Sequence, residues 1–171
     1  MVISGVNIED PLIVQGTQLQ LNGAGIRYKA VFKVYVASLY VKLKISTSDE
    51  FYAAPGPKRL SITLLRDVAS SEIGKTFARA LDGLHGKADV ARLIPELTRL
   101  EQDFAAREKL VAGETFTIDW VPGTGTIVTV MGKPLGAPVR EVDFYNTVLD
   151  IWLGPAAADW KLRDSLLGKG R

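Results

Sequence analysis

The sequence predicts an α+β fold, with its helices segregated from its strands. Three observations predict it. Apolar residues alternate with polar ones around Leu19 and Leu21, at Leu60, Ile62 and Leu64, and at Phe116, Ile118 and Trp120, the period-two mark of half-buried strands. The period lengthens to that of a helix at Ile73, Phe77, Ala80, Leu81 and Leu84. The elements come as strands, two helices, a hairpin, then two more helices, without the regular strand–helix alternation of a parallel sheet.

The elements follow in order. Leu12 to Gln15 form a short strand after Pro11, closed by a turn at Gly16. The strand around 18–21 runs into Gly23 and Gly25, which permit a bend or a bulge. Residues 31–43 are rich in β-branched and aromatic side chains and predict a long strand. Residues 46–57, broken by Pro55-Gly56-Pro57, are a connection with room for a helical turn. The helix beginning near Ser70 and Ser71 ends at Gly83 or Gly86. A second apolar stripe holds Val90, Leu93, Ile94, Leu97, Leu100 and Phe104, and Pro95 inside it either kinks the helix or starts a new one. Pro122-Gly123-Thr124-Gly125 turns the chain so that 126–131 pair back on 115–121. One last helix carries Phe144, Val148, Ile151 and Trp152 and stops at Gly154. Another runs from about Asp159 to Leu167 and stops at Gly168.

A chain of 171 residues, 47% hydrophobic, without repeats or low complexity, fits one domain over 1–171. The net charge of +2, with scattered basic residues, gives no footprint for nucleic acid. No run reaches the ~18 apolar residues of a membrane-spanning helix. There is no cysteine, so thiol catalysis and disulfides are excluded, and one histidine, His85, offers no metal cluster. His85 sits at a predicted helix end, without a paired acid or nucleophile for catalysis. Gly23-Ala24-Gly25 is followed by a strand and lacks a third glycine, so it is not a dinucleotide loop. No cofactor is expected. Trp120, Trp152 and Trp160 read as core or pocket-rim aromatics. Arg66 and Asp67 form a charged pair at a strand end, and a structural ion pair or turn accounts for them.

The residue pattern that points to function is Leu21-Asn22-Gly23-Ala24-Gly25-Ile26-Arg27, followed by an aromatic-rich strand. Arginine is a permanent, forked cation suited to carboxylates and enolates. Beside an apolar strand, Arg27 would hold the polar end of a greasy ligand. A surface arginine paired with a nearby acid is the competing reading. Tyr35 is the second candidate, with core packing and a backbone-bonded hydroxyl as its rival.

This stretch, with Leu64-Leu65-Arg66-Asp67-Val68, Trp120-Val121-Pro122-Gly123-Thr124-Gly125-Thr126, Ile151-Trp152-Leu153-Gly154 and the closing residues 162–168, resembles the chalcone isomerase-like superfamily, in particular its bacterial branch. The resemblance implies an open-faced sandwich, a large antiparallel sheet covered on one face by helices. It places Arg27 where isomerases activate the substrate enone and where the fatty-acid-binding relatives hold a carboxylate. It places Tyr35 at the binders' ligand-bonding tyrosine. At three positions where the isomerases carry a tyrosine, an asparagine and a threonine, this chain has Glu72, Arg79 and Ile151. For their active-site lysine the nearest candidate is Lys58, in the loop before a strand. The resemblance therefore implies binding of a fatty acid or similar small amphipathic carboxylate, with Arg27 and Tyr35 at the head and Phe32 and Val36 among the tail contacts. An isomerase or intramolecular lyase using Arg27 is the alternative, and a protein-interaction module a third. Bacterial relatives usually carry an export signal, and Met1-Val2-Ile3-Ser4 reads like a mature start, so a periplasmic location is expected.

Overall fold

The computed structural model describes residues 1–82, 92–155, 157 and 159–169, with backbone alone at 80–82. The chain begins with β1 (Val2–Ile3), β2 (Val6–Asn7), β3 (Leu12–Val14), β4 (Thr17–Lys29) and β5 (Phe32–Val41), then α1 (Ser48–Ala53) and β6 (Lys58–Leu64). It continues with β7 (Val68–Ala69), α2 (Ser70–Asp82), α3 (Ile94–Ala105), β8 (Lys109–Leu110), β9 (Thr115–Val121), β10 (Gly125–Val130) and β11 (Lys133–Pro134). It closes with α4 (Val142–Leu153) and α5 (Trp160–Leu166). Seven strands make one sheet in the order β11-β10-β9-β6-β5-β4-β3, every neighbouring pair antiparallel. This is the α+β architecture the sequence predicts.

One face of the sheet, with Ala37, Leu39, Leu60, Ile62, Phe116 and Ile118, packs on α2, α3, α4 and α5 in one apolar cluster. The alternation in β6 is complete: Leu60, Ile62 and Leu64 are buried, and the residues between them are half-buried. The other face holds a smaller cluster of Leu19, Leu21, Val36 and Tyr40 under Ile8. There the N-terminal segment is tied down by the Tyr40 hydroxyl, which donates to the Glu9 carbonyl at 2.8 Å.

The glycines of β4 do not end the strand. The strand stays paired with β5 from Gln20 to Lys29, and a register shift between Leu21 and Gly23 makes Asn22 the extra residue of a bulge. Its side chain then serves two other segments, donating from Nδ2 to the Leu166 carbonyl at 2.7 Å and accepting the Ile45 amide on Oδ1 at 2.8 Å. Pro95 starts α3, where a missing amide hydrogen costs no helix bond. The turn expected within 46–57 is α1, capped by Thr47 Oγ1 accepting the Glu50 amide at 3.1 Å. The strands of two residues escaped the sequence because two residues carry no period. Leu84, His85, Gly86 and Val90 lie outside the described residues.

Lys58 is a correction. It begins β6, opposite Trp120, and is buried, whereas the sequence placed it in a loop. Its Nζ donates to the Tyr52 carbonyl at 3.3 Å and lies 4.9 Å from the Phe51 ring centre. Burial lowers its ammonium from 10.5 to about 8. Between those values the unfolded chain binds a proton that the folded protein does not, so this group makes stability rise with pH across that window. Lys58→Met is expected to raise stability near pH 7 by roughly 1–3 kcal/mol. Urea unfolding should show that advantage shrinking as pH is raised from about 8 to 10.5.

Candidate functional site

The β4–β5 hairpin turns through Ala30 and Val31, with Ala30 at φ 55°. Arg27 and Tyr35 are thereby directly opposite each other across the strand pair and project from the same face. A second register shift, between Arg27 and Tyr28, makes Val34 an extra residue on β5. The bulge lets Val34 and Tyr35, neighbours in sequence, reach the same side.

Arg27 Nη1 donates to the Tyr28 carbonyl at 3.0 Å and faces Asp159 Oδ2 at 3.4 Å. The Arg27 side chain is 24% exposed and that of Asp159 14%, so the pair is only partly screened by water. Asp159 is fixed from its own side as the N-cap of α5, accepting the Leu162 amide on Oδ1 at 3.0 Å. Helix α5 is in turn held against β4 by the absence of side chains at Gly23 and Gly25. A Cβ at Gly23 would overlap the Ser165 carbonyl oxygen and lie 2.6 Å from that of Leu166. The glycine pattern thus places the carboxylate against the arginine.

Tyr35 is half-buried and accepts a hydrogen bond from Trp152 Nε1 at 2.8 Å. Burial, the largest influence, pushes its phenol up to about 12, against the opposing pull of the Trp152 bond and of Arg27. The hydroxyl therefore stays protonated, with its own hydrogen free to donate while Trp152 fills one acceptor position.

Arg27 and Tyr35 open onto one cavity of about 220 Å³ between the helix-covered face of the sheet and α2, α4 and α5. Its walls are apolar: Val34, Ile62 and Leu64 from the sheet, and Ile73, Phe77 and Leu162 from the helices. Its polar lining is basic on balance. Arg27, Lys29, Lys75 and Arg79 face only two carboxylates, Glu72 and Asp159. Such a space accepts an apolar body and favours an anionic head.

A sequence model described as chalcone isomerase-like matches residues 1–168. The chain belongs to the chalcone isomerase-like family. The fold is also similar to the crystal structure of a fatty-acid-binding protein from Arabidopsis thaliana, with a TM-score of 0.68 and 16% sequence identity. That match covers 92% of this chain and 96% of the other. No curated protein sequence matches the chain.

Within this chalcone isomerase-like protein, Glu72, Arg79 and Ile151 all line the cavity. The substitutions read from the sequence thus lie inside the pocket. Lys58 does not line it, and neither do the two proposed tail contacts. Phe32 projects into solvent, and Val36 belongs to the cluster on the opposite face of the sheet, because strand alternation separates it from Tyr35. Arg66 does not pair with Asp67. It lies 5.7 Å from the Phe32 ring centre, and Asp67 instead meets Lys109 at 3.3 Å. The sequence reading missed Asp159 as the partner of Arg27, Trp152 as the partner of Tyr35, and Lys29 and Lys75 in the lining. Asp159 carried one signal, its place before a helical run, which marks a cap but not a contact 132 residues away.

Proposed function

We propose that this family member binds a small amphipathic carboxylate, a fatty acid of short to medium chain, with its head between Arg27 and Tyr35 and its tail along Val34, Ile62, Leu64 and Phe77. One observation carries the reading: a cation and a neutral phenol face each other in a cavity with apolar walls and a basic polar lining, and the cation already holds a carboxylate, that of Asp159. A ligand's carboxylate would take over that place. The cavity's volume of about 220 Å³ is below the ~300–1,000 Å³ of a drug-sized site, which favours a compact chain. The fatty-acid-binding name of the Arabidopsis neighbour supports the same class of ligand.

Turnover of an enone is the less favoured alternative. Glu72, Arg79 and Ile151 in the lining stand at the three positions where the resemblance places the tyrosine, asparagine and threonine with which the isomerases position their substrate.

Titration of the delipidated protein with a series from hexanoate to palmitate tests the reading. Affinity should rise with chain length and then level off once the cavity is full. Alcohols of the same length should bind far more weakly, and equal binding of acid and alcohol would overturn the role given to Arg27. Asp159→Asn keeps the helix cap and removes the competing charge. It is expected to tighten carboxylate binding about 2- to 10-fold by calorimetry, the size of a partly exposed ion pair.

A further inference from the structure

We propose that the β4–β5 hairpin tip, together with Trp160 at the start of α5, docks this protein on the surface of an anionic phospholipid bilayer. Val31 is 83% exposed, Phe32 61%, Trp160 59% and Tyr28 44%. Other exposed apolar residues, such as Ile13, Leu43 and Met131, stand singly along the chain and are ordinary. The tip differs because three of these side chains fall within five residues of one turn. Tyr28 and Ala30 also share a surface groove with Trp160 and Lys161, which brings the fourth alongside.

The charges around these side chains select the partner. Lys29 and Lys33 flank the turn, Arg66 lies 5.7 Å from the Phe32 ring centre, and Lys161 lies 5.7 Å from that of Trp160. Two exposed aromatic rings thus each carry a cation. Among the described residues none of these four cations forms an ion pair. Apolar and aromatic side chains that enter the headgroup layer, ringed by cations that meet lipid phosphates, are the two components of interfacial binding. A protein partner with an apolar patch would use the rings but leave the cations without a role.

The surface also adjoins the cavity. Lys29 lines the cavity, and Arg27 and Asp159 line both the cavity and the groove beside Trp160. A docked tip would set the cavity against the membrane, where an acyl ligand is most concentrated. Docking itself does not depend on what the cavity binds.

Co-sedimentation of the full chain with vesicles tests the proposal. Vesicles of equal parts phosphatidylcholine and phosphatidylglycerol are expected to carry the protein down, less so as salt is raised, and pure phosphatidylcholine vesicles to carry little. Val31→Asp and Phe32→Asp should each weaken partition roughly tenfold or more. Brominated lipid should quench a fluorescence component that Trp160→Phe removes. Val31 does not line the cavity, so Val31→Asp should keep the wild-type melting temperature and hexanoate titration, which shows that the variant is folded. Three outcomes would overturn the proposal: no co-sedimentation, equal partition of wild type and both aspartate variants, or a concentration-dependent dimer lost in Val31→Asp, which would assign the patch to a second copy. Vesicle binding without carboxylate binding would retain docking and reject the ligand reading, and the reverse result would do the opposite.

Discussion

Arg27→Ala is expected to weaken carboxylate binding by about 10- to 100-fold and to leave binding of the corresponding alcohol nearly unchanged. A hydrogen bond to a charged group contributes about 1.5–3 kcal/mol, and every ~1.4 kcal/mol is tenfold in affinity. The effect on stability should be small. The Arg27–Asp159 contact is 3.4 Å long and partly exposed, a geometry that contributes about 1 kcal/mol or less. Arg27→Lys should recover only part of the loss, because an ammonium cannot form the forked contact. Calorimetry with an acid and its alcohol separates the head from the tail, since the apolar walls are untouched. A melting curve for each variant separates binding from folding.

Gly23→Ala is expected to be among the most damaging single methyl additions to this fold. The added carbon would meet the backbone oxygens of Ser165 and Leu166, which cannot rotate away as a side-chain tip can. Relief requires α5 to lift from β4, exposing Leu162 and Leu166, both buried in the main core. A destabilisation of about 3 kcal/mol or more follows, a fall in melting temperature of roughly 6–12 °C for a chain of this size. The same movement would draw Asp159 and Leu162 away from the cavity, so ligand binding should fall with stability. At Gly25 the nearest atom is the Ser165 side-chain Cβ, at 2.9 Å. Gly25→Ala should therefore cost less, and a reversed order would refute the docking role given to Gly23.

These glycines show how far the sequence could be read. The long elements were legible because each repeats one period often enough to be seen: β6 buries every second residue, and α3 buries Leu97, Leu100 and Phe104. Gly23 and Gly25 were visible as special, but glycine marks equally a bend, a bulge or a close approach. The pairing with β5 and the position of α5, more than a hundred residues later, decide among them. The same limit applies to the site. Arg27 and Tyr35 were visible by their chemistry, and their spacing suits a tight hairpin. Asp159 and Trp152 reach them through tertiary contacts 132 and 117 residues long, for which a sequence has no local signal. Lys58 was misplaced because lysine ordinarily marks solvent, and here the fold buries it against Phe51. Phe32 was misplaced for the converse reason. An exposed phenylalanine on a strand reads as core until the turn is seen to hold it in water.

The most direct test is native mass spectrometry of the purified wild type beside Arg27→Ala, with extraction and identification of whatever small molecule is bound, before and after incubation with mixed fatty acids. Carboxylate binding anchored on Arg27 predicts one fatty acid or similar small carboxylate per wild-type chain, of short to medium length, and its loss from Arg27→Ala. A carboxylate retained by Arg27→Ala, a bound molecule without an acidic head, or a wild type that stays empty in the mixture would each contradict it.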